Sequence, residues 1–287
     1  MELKFTKMHG CGNDYIYINC FETAINSPES LAILLSDRHK GIGGDGIVLI
    51  LPPSDSCVPN KTTADARMRM FNLDGSEGNM CGNAIRCVAK YLYDNGIVRK
   101  PQMRIETRSG VKTLTIFTEN GAAVSARVNM GRAVLTPKDI PVNLPGENVI
   151  ARTVLIGGTK YSITCVGMGN PHAVVFCDDV DALLLDQIGP LFENDNIFPD
   201  RVNTEFIEVI ERRQIKMRVW ERGSGETQAC GTGACASAVA AVLNGYCDKN
   251  TNVKVRLLGG ELIINYTDET VYMTGGCTKV FDGVMQI

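Results

Sequence analysis

"NMCGNAIRC" (79–87) and "QACGTGACA" (228–236) each join a Cys-Gly pair to a run of small residues, and they read as one phrase used twice. Cys81 and Cys230 stand 149 positions apart. At that offset Met68-Arg69 falls on Met217-Arg218, Phe71 on Trp220, Glu77 on Glu226, Asn95-Gly96 on Asn244-Gly245 and Gly110 on Gly259. The alignment runs without a gap from about residue 68 to residue 117. Upstream, "GCGND" (10–14) matches "GMGNP" (167–171), which places Asn13 on Asn170 at an offset of 157. The first half therefore carries about eight extra residues, assigned to the loop-like "LPPSDSCVPNKTTADA" (51–66). One offset held over some 50 residues indicates two copies of one fold, not a short-period solenoid.

Composition narrows the class. A chain of 287 residues suits two domains of ordinary size, each able to bury a core. The hydrophobic share of 44% and the charged share of 21% are those of a soluble globular protein. A net charge of −3 gives no pull toward nucleic acid or an anionic membrane. No apolar run approaches the ~20 residues needed to span a bilayer. The opening "MELKFTKMHG" lacks the apolar stretch of a signal peptide. Eleven irregularly spaced cysteines without an export signal predict reduced thiols in a cytoplasm, most of them small core residues.

Each copy predicts the same order of elements. A strand (15–19; 173–176) precedes a short helix (28–39; 183–192), and strands follow (46–51; 205–211 and 215–220). The Cys-Gly phrase then opens a second helix. Ile85, Val88, Ala89 and Leu92 recur at helical spacing, and Asn95-Gly96 and Asn244-Gly245 are stop signals. The alanine-rich 234–243 predicts a helix packed closely on its surroundings and central to its domain. Hairpins turning at glycine close each copy (104–117; 253–266), and the stretch 118–161 is strand-like with Pro137, Pro141 and Pro145 in loops.

A cysteine at a strand-to-helix junction has a chemical use. The first N–H groups of a helix lack partners within it and carry partial positive charge. Glycine admits a ligand close to that backbone, so such an end binds carboxylate and favours a thiolate beside it. Burial as small filler is the bland alternative for either cysteine. Two thiols at matched places suit a two-base reaction: one takes a proton from a carbon as thiolate, the other returns one to the opposite face as thiol. The helix ends would stabilise charge growing on the substrate carboxylate, and no cofactor is required.

Other motifs carry less. "GIGGDG" (41–46) holds a literal G-x-G-x-x-G, but a helix precedes it and a strand follows, the reverse of the dinucleotide order. It reads as a flexible loop near the site, with Asp45 capping or turning it. The chain has no C-x-x-C and only three scattered histidines, so metal ligation and a thioredoxin-like role are disfavoured. His172 follows the repeated Asn170 where the first copy has Tyr15, and is either a structural histidine or a site residue. In "ERGSGETQACG" (221–231), Glu221 and Arg222 replace Asn72 and Leu73. They are a surface pair or, breaking symmetry beside symmetric thiols, readers of a second amino-acid head: Arg for a carboxylate, Glu for an ammonium.

The sequence resembles the diaminopimelate epimerase family. The likeness runs in order through "FTKMHGCGNDY", "RHKGIGGDG", "FNLDGSEGNMCGNAIRC", "MGNPHAVVF", "RVNTEFI", "ERGSGETQACGTGACA" and "YMTGGCTKVFDG", nearly the whole chain. It implies an α/β fold of the α+β type, with two pseudo-symmetric duplicated domains. Each would be a barrel-like, mostly antiparallel sheet around a central helix, with the active site in the interdomain cleft, closing over substrate. The domains would be 1–127 plus 274–287, because the family's tail returns to the first domain, and 128–273. The resemblance implies interconversion of LL- and meso-diaminopimelate without cofactor or metal, in lysine and cell-wall precursor synthesis, and a homodimer. Carried over by motif, Cys81 and Cys230 are the acid/base thiols. Gly82 with Asn83, and Gly231 with Thr232, hold the reacting carboxylate. Asn13, Asn72, Asn170 and Asn203 line the site, Glu221 and Arg222 bind the distal head, and His172 and Glu221 support the reacting centre. Three departures stand out: Gly46 where some members have Gln, so that one side-chain hydrogen bond is missing; Ala84 where Gly is common, tightening the helix start; and Thr232 for Ser.

Three rivals make different predictions. A racemase of histidine or lysine on the same fold would not need the Glu221-Arg222 pair. A thiol-redox protein would use a Cys81–Cys230 disulfide, and a non-catalytic binding protein would bind without isotope exchange.

Overall fold

The structure is a computed structural model that describes residues 2–54 and 64–287. The chain divides into two units, residues 1–128 with 275–287 and residues 129–274.

In the first unit β1 (Glu2–Gly10) turns into β2 (Asn13–Asn19) through Cys11 and Gly12, at φ 53° and 79°. A two-residue turn with both residues at positive φ matches the twist of paired strands. Helix α1 (Pro28–Ser36) carries the chain to β3 (Gly46–Leu51), which lies parallel to β2. β4 (Ala66–Asn72) runs antiparallel to β3, and the short β5 (Glu77–Gly78) folds back on it. After helix α2 (Gly82–Asp94), β6 (Gln102–Thr107) lies parallel to β4 and continues through β7 (Gly110–Glu119) to β8 (Ala122–Gly131) as antiparallel neighbours. The chain's last strand, Thr278–Gln286, pairs antiparallel with β1. Helix α2 touches β1 and β2 as well as β6 and β7, so the sheet curls around it.

Two-residue periodicity sorts the strand side chains between two helices. Ile16, Ile18, Ile47, Leu49 and Phe71 pack with Leu31, Ala32 and Leu35 of α1 in one core. Residues of the other parity face α2, where the Tyr17 hydroxyl donates to the Ala84 carbonyl (3.5 Å). On α2, Ile85, Val88, Ala89 and Leu92 are wholly buried, as their spacing predicts. The sequence placed the end of α1 at residue 39, but the helix stops at Ser36. The Asp37 carboxylate accepts the His39 and Lys40 N–H groups (2.7 and 2.9 Å), an alternative that outcompetes a further helical turn.

The second unit repeats the plan. A 3-10 turn (Pro137–Asp139) leads to β9 (Arg152–Ile156), β10 (Thr159–Gly167) and β11 (Pro171–Phe176), successive antiparallel neighbours. Helix α3 (Leu185–Glu193) connects β11 to β12 (Asn203–Glu211), parallel to it. β13 (Gln214–Glu221), the short β14 (Gly225–Glu226), helix α4 (Gly231–Leu243), β15 (Asn252–Leu257) and β16 (Gly260–Tyr266) reproduce the pairings of β4 to β7. β17 (Val271–Gly276) and the terminal strand, β18, complete the chain. Helix α4 touches β10, β11, β12, β13, β15 and β16, and its side chains are almost all buried Ala, Cys, Ser and Val. Its small residues let those strands approach its backbone on every side.

Strand register corrects the gapless alignment. Ala66 pairs with Ile105 in β4–β6, and Ile215 with Val255 in β13–β15, so the offset has become 150 there. Gly110 matches Gly260, not Gly259: each begins the second strand of its hairpin at positive φ. The extra residue lies between the end of α4 and β15. The eight-residue insertion expected within 51–66 falls mostly on 55–63, outside the described residues. One volume exchange follows the duplication. A Cβ on Gly189 of α3 would lie 2.2 Å from the Trp220 ring. In the first unit the matched residues are Ala32 and the smaller Phe71, which share a core. No helix among the described residues is long and apolar enough to cross a membrane.

Candidate active site

Both Cys-Gly phrases open helices. Cys81 is the N-cap of α2, with extended backbone, and its Sγ accepts the Ala84 N–H (3.4 Å). The thiol donates to Asn13 Oδ1 (3.3 Å). Asn13 is held from behind: its Nδ2 donates to Asp45 Oδ2 (2.6 Å), which also accepts the Asp14 N–H (3.0 Å). Asp45 thus anchors Asn13 from the "GIGGDG" loop, beyond the capping or turning role read from sequence. Arg38 bridges Asp14 and Asp45 (2.7 and 3.0 Å), and Lys7 pairs with Asp14 (2.6 Å) and donates to the Gly43 carbonyl. Burial lifts the Asp14 carboxyl, but hydrogen bonds and charge from Arg38 and Lys7 outweigh it and hold the group below its ordinary value.

Gly82 and Asn83 form the first turn of α2, both buried. Asn83 Oδ1 accepts from Arg86 (3.0 Å), a fully buried arginine that also donates to the Gly82 carbonyl (2.9 Å) and the Gly276 carbonyl (3.3 Å). Asn72 lies farther along β4, opposite Gly46, with its amide on Ser76 Oγ (3.0 Å). At Gly46 a Cβ would stand 2.0 Å from the Phe71 carbonyl oxygen. With the backbone as it lies, no side chain fits there, so the departure from Gln is structural as well as chemical.

Cys230 is the N-cap of α4, buried, with Sγ 3.5 Å from the Thr232 hydroxyl; Gly231 is the first helical residue. Around this thiol the second unit gathers acids. Glu221 accepts a hydrogen bond from Thr227, and the Cys230 thiol hydrogen-bonds it. Burial raises the Glu221 carboxyl above its usual range against the pull of those bonds. Burial, then the negative charges of Glu221 and Glu205, push the Cys230 thiol well above the ordinary cysteine value. A thiol so placed is harder to ionise than a solvent-exposed cysteine.

His172 is wholly buried, with Nδ1 2.7 Å from Glu205 Oε1 and Nε2 2.9 Å from Asn170 Oδ1. Asn203, across the β11–β12 ladder from His172, is buried and accepts the Arg222 N–H (3.0 Å). Arg222 is anchored separately from Glu221, its guanidinium on the Asp200 carbonyl (2.7 Å). Glu193 fastens the turn that bears them, accepting from Trp220 Nε1 (2.7 Å) and the Gly223 N–H (2.8 Å).

Each sequence-derived residue thus falls into one of two sets. Cys81, Gly82, Asn83 and Asn13 meet at the start of α2, with Asn72 along β4. Cys230, Gly231, Thr232 and Glu221 meet at the start of α4, with His172 and Asn170 joined through the imidazole and Asn203 and Arg222 joined by a backbone bond. Sequence reading passed over Arg86, Glu193 and Glu205. Glu205 carried a signal: a glutamate at the place on β12 that corresponds to Val48 on β3.

Comparison with known proteins follows this geometry. The family model described as "Diaminopimelate epimerase" matches residues 5–136 and 164–280. Diaminopimelate epimerase of Acetivibrio thermocellus is 51% identical over 287 residues, 99% of each chain. That of Desulfovibrio desulfuricans is 53% identical over 289 residues, covering 98% of this chain and 97% of its own. Among solved structures, a probable proline racemase from Agrobacterium radiobacter aligns at TM-score 0.70 and 15% identity, over 99% of this chain and 92% of its own. A predicted epimerase from Pseudomonas aeruginosa aligns at TM-score 0.67 and 15% identity, over 99% of each. The structural likenesses establish the duplicated fold. The sequence matches go further, and by them the chain belongs to the diaminopimelate epimerase family.

Proposed function

We propose that this chain is a cofactor-independent isomerase that interconverts LL- and meso-2,6-diaminopimelate, on the way to lysine and peptidoglycan precursors. The observation that carries the reading is the pair of cysteines at matched helix N-caps, Cys81 and Cys230. One sulfur, as thiolate, removes the α-proton; the electron pair moves into the substrate carboxylate. The other, as thiol, returns a proton to the opposite face of the carbon and is left as thiolate. The configuration is inverted, and the two sulfurs have exchanged protonation states.

The supporting groups follow from charge. Negative charge grows on the substrate carboxylate, and N–H groups of Gly82 and Asn83, and of Gly231 and Thr232, are the fixed dipoles that stabilise it. Asn13, Asn72, Asn170 and Asn203 orient the substrate by hydrogen bonds. Glu221 and Arg222 read its distal ammonium and carboxylate, and Glu221 and His172 support the reacting centre.

Heavy water tests this directly. Reduced protein without added cofactor should wash deuterium into LL-diaminopimelate and produce the meso form. Cys81→Ala and Cys230→Ala should each lower net inversion by at least the ~10²–10⁴-fold that a general acid–base group supplies. Full activity in either variant would sink the assignment. Turnover of histidine or lysine but not diaminopimelate would favour the racemase.

A further inference from the structure

We propose that Glu205 is a positioning residue for the Cys230 side of the reaction: its carboxylate, set in the strand wall against the first turn of α4, locks the His172 ring and through it the Asn170 side chain. The inference rests on the epimerase reading above. Glu205 Oε1 stands 2.7 Å from His172 Nδ1, and that short contact fixes the orientation of the ring. On the other edge of the ring Nε2 stands 2.9 Å from Asn170 Oδ1, so the imidazole is held between the Glu205 and Asn170 oxygens.

Comparison with the first unit explains why a tether is needed. Asn13 sits inside the strand ladder, opposite Gly10, and is held from behind by Asp45. Asn170 lies one place outside its ladder, where Gly167 pairs with Pro171 across a three-residue turn. Its position must come from a side chain. At the two places that supply it, His172 and Glu205, the first unit has Tyr15 and Val48: the parallel registers Tyr15–Gly46 and His172–Asn203 match.

The acid is expensive to keep. Glu205 is fully buried, and its Oε2 has no hydrogen-bond partner among the described residues. A Cβ on Gly233 would come within 2.5 Å of Glu205 Oε1, whereas the first unit has Ala84 at the matched helix position. A valine would fill this wall, as Val48 does; what it could not do is orient an imidazole.

Glu205→Gln tests the link, read by ¹⁵N spectra of histidine-labelled protein. The chain has three histidines, so His9 and His39 serve as internal controls. In E205Q the His172 nitrogens should shift while the controls stay put. kcat should fall by roughly tenfold or more, part of the ~10²–10⁴-fold an acid–base group contributes, and KM should change less. Gly233→Ala, which keeps the carboxylate but crowds it, should move the same nitrogens. The double variant should lose less than the two single losses combined, because both act on one contact. Should E205Q fail to fold, G233A carries the test. Unmoved His172 nitrogens, or a fully additive double variant, would overturn the proposal. Wild-type protein inert toward diaminopimelate would sink the epimerase reading alone, with the nitrogen spectra still deciding whether Glu205 locks the ring.

Discussion

The first turns of α2 and α4 are cut from one phrase and furnished in opposite ways. Beside Cys81 stand an amide, Asn13, and a buried guanidinium, Arg86, which bonds the Gly82 carbonyl and Asn83 of that turn. Beside Cys230 stand two carboxylates, Glu221 and Glu205, and an imidazole. At the place matching Arg86 the second unit has the buried Cys235. Backbone geometry survived duplication because both helix starts need it. Charge did not: the residues packed on the first turn are neutral or basic in one unit and acidic in the other.

The comparison breaks hardest where a charge is moved to the wrong copy. Val48→Glu puts an acid at the Glu205 position of the first unit, where Tyr15 replaces the histidine and Val48 is fully buried. An unpaired buried charge costs about 3–5 kcal/mol, so urea unfolding should show a midpoint far below wild type. An unchanged midpoint would mean that the two walls are interchangeable.

Volume comes next. Gly189→Ala drives a methyl into the Trp220 ring and should cost about 1–3 kcal/mol. Adding Trp220→Phe, which restores the Ala32–Phe71 pairing of the first unit, should recover part of that loss. Strict additivity in thermal or urea melts would deny the exchange.

The smallest effect is the most direct reading of the asymmetry. Thiolate is the reactive form, and burial with Glu221 and Glu205 raises the Cys230 thiol well above its ordinary value. In free protein at neutral pH, peptide mass spectrometry should find the buried Cys230 alkylated by iodoacetamide more slowly than the partly exposed Cys81, by about tenfold. Its rate should go on climbing with pH beyond the range where an ordinary thiol has fully ionised. Equal rates would erase the electrostatic difference between the two starts.

The legible parts were those that local chemistry controls. The Cys-Gly phrases with their small-residue runs and the Asn-Gly stops placed α2 and α4 within a residue or so, because capping and glycine conformation are decided within one turn. Less legible was the end of α1, where Asp37 draws N–H groups from two residues beyond it. The slip of the repeat from 149 to 150 was invisible in a loop without landmarks, and only the β13–β15 pairing exposes it.

By itself, then, the sequence determined that this chain is one fold written twice, with a thiol at the head of a helix in each copy and the repeat broken at Glu221 and Arg222. It could not say that Glu205 lies on His172, that Asp45 holds Asn13, or that Gly189 makes room for Trp220. Those partners are 33, 32 and 31 positions apart in the chain. Such contacts depend on which strands become neighbours and in what register, and on which parity of side chains then faces a helix. Tertiary structure alone decides that, since a shift of one residue would turn Asn13, His172, Glu205 or Trp220 to the other face of its strand.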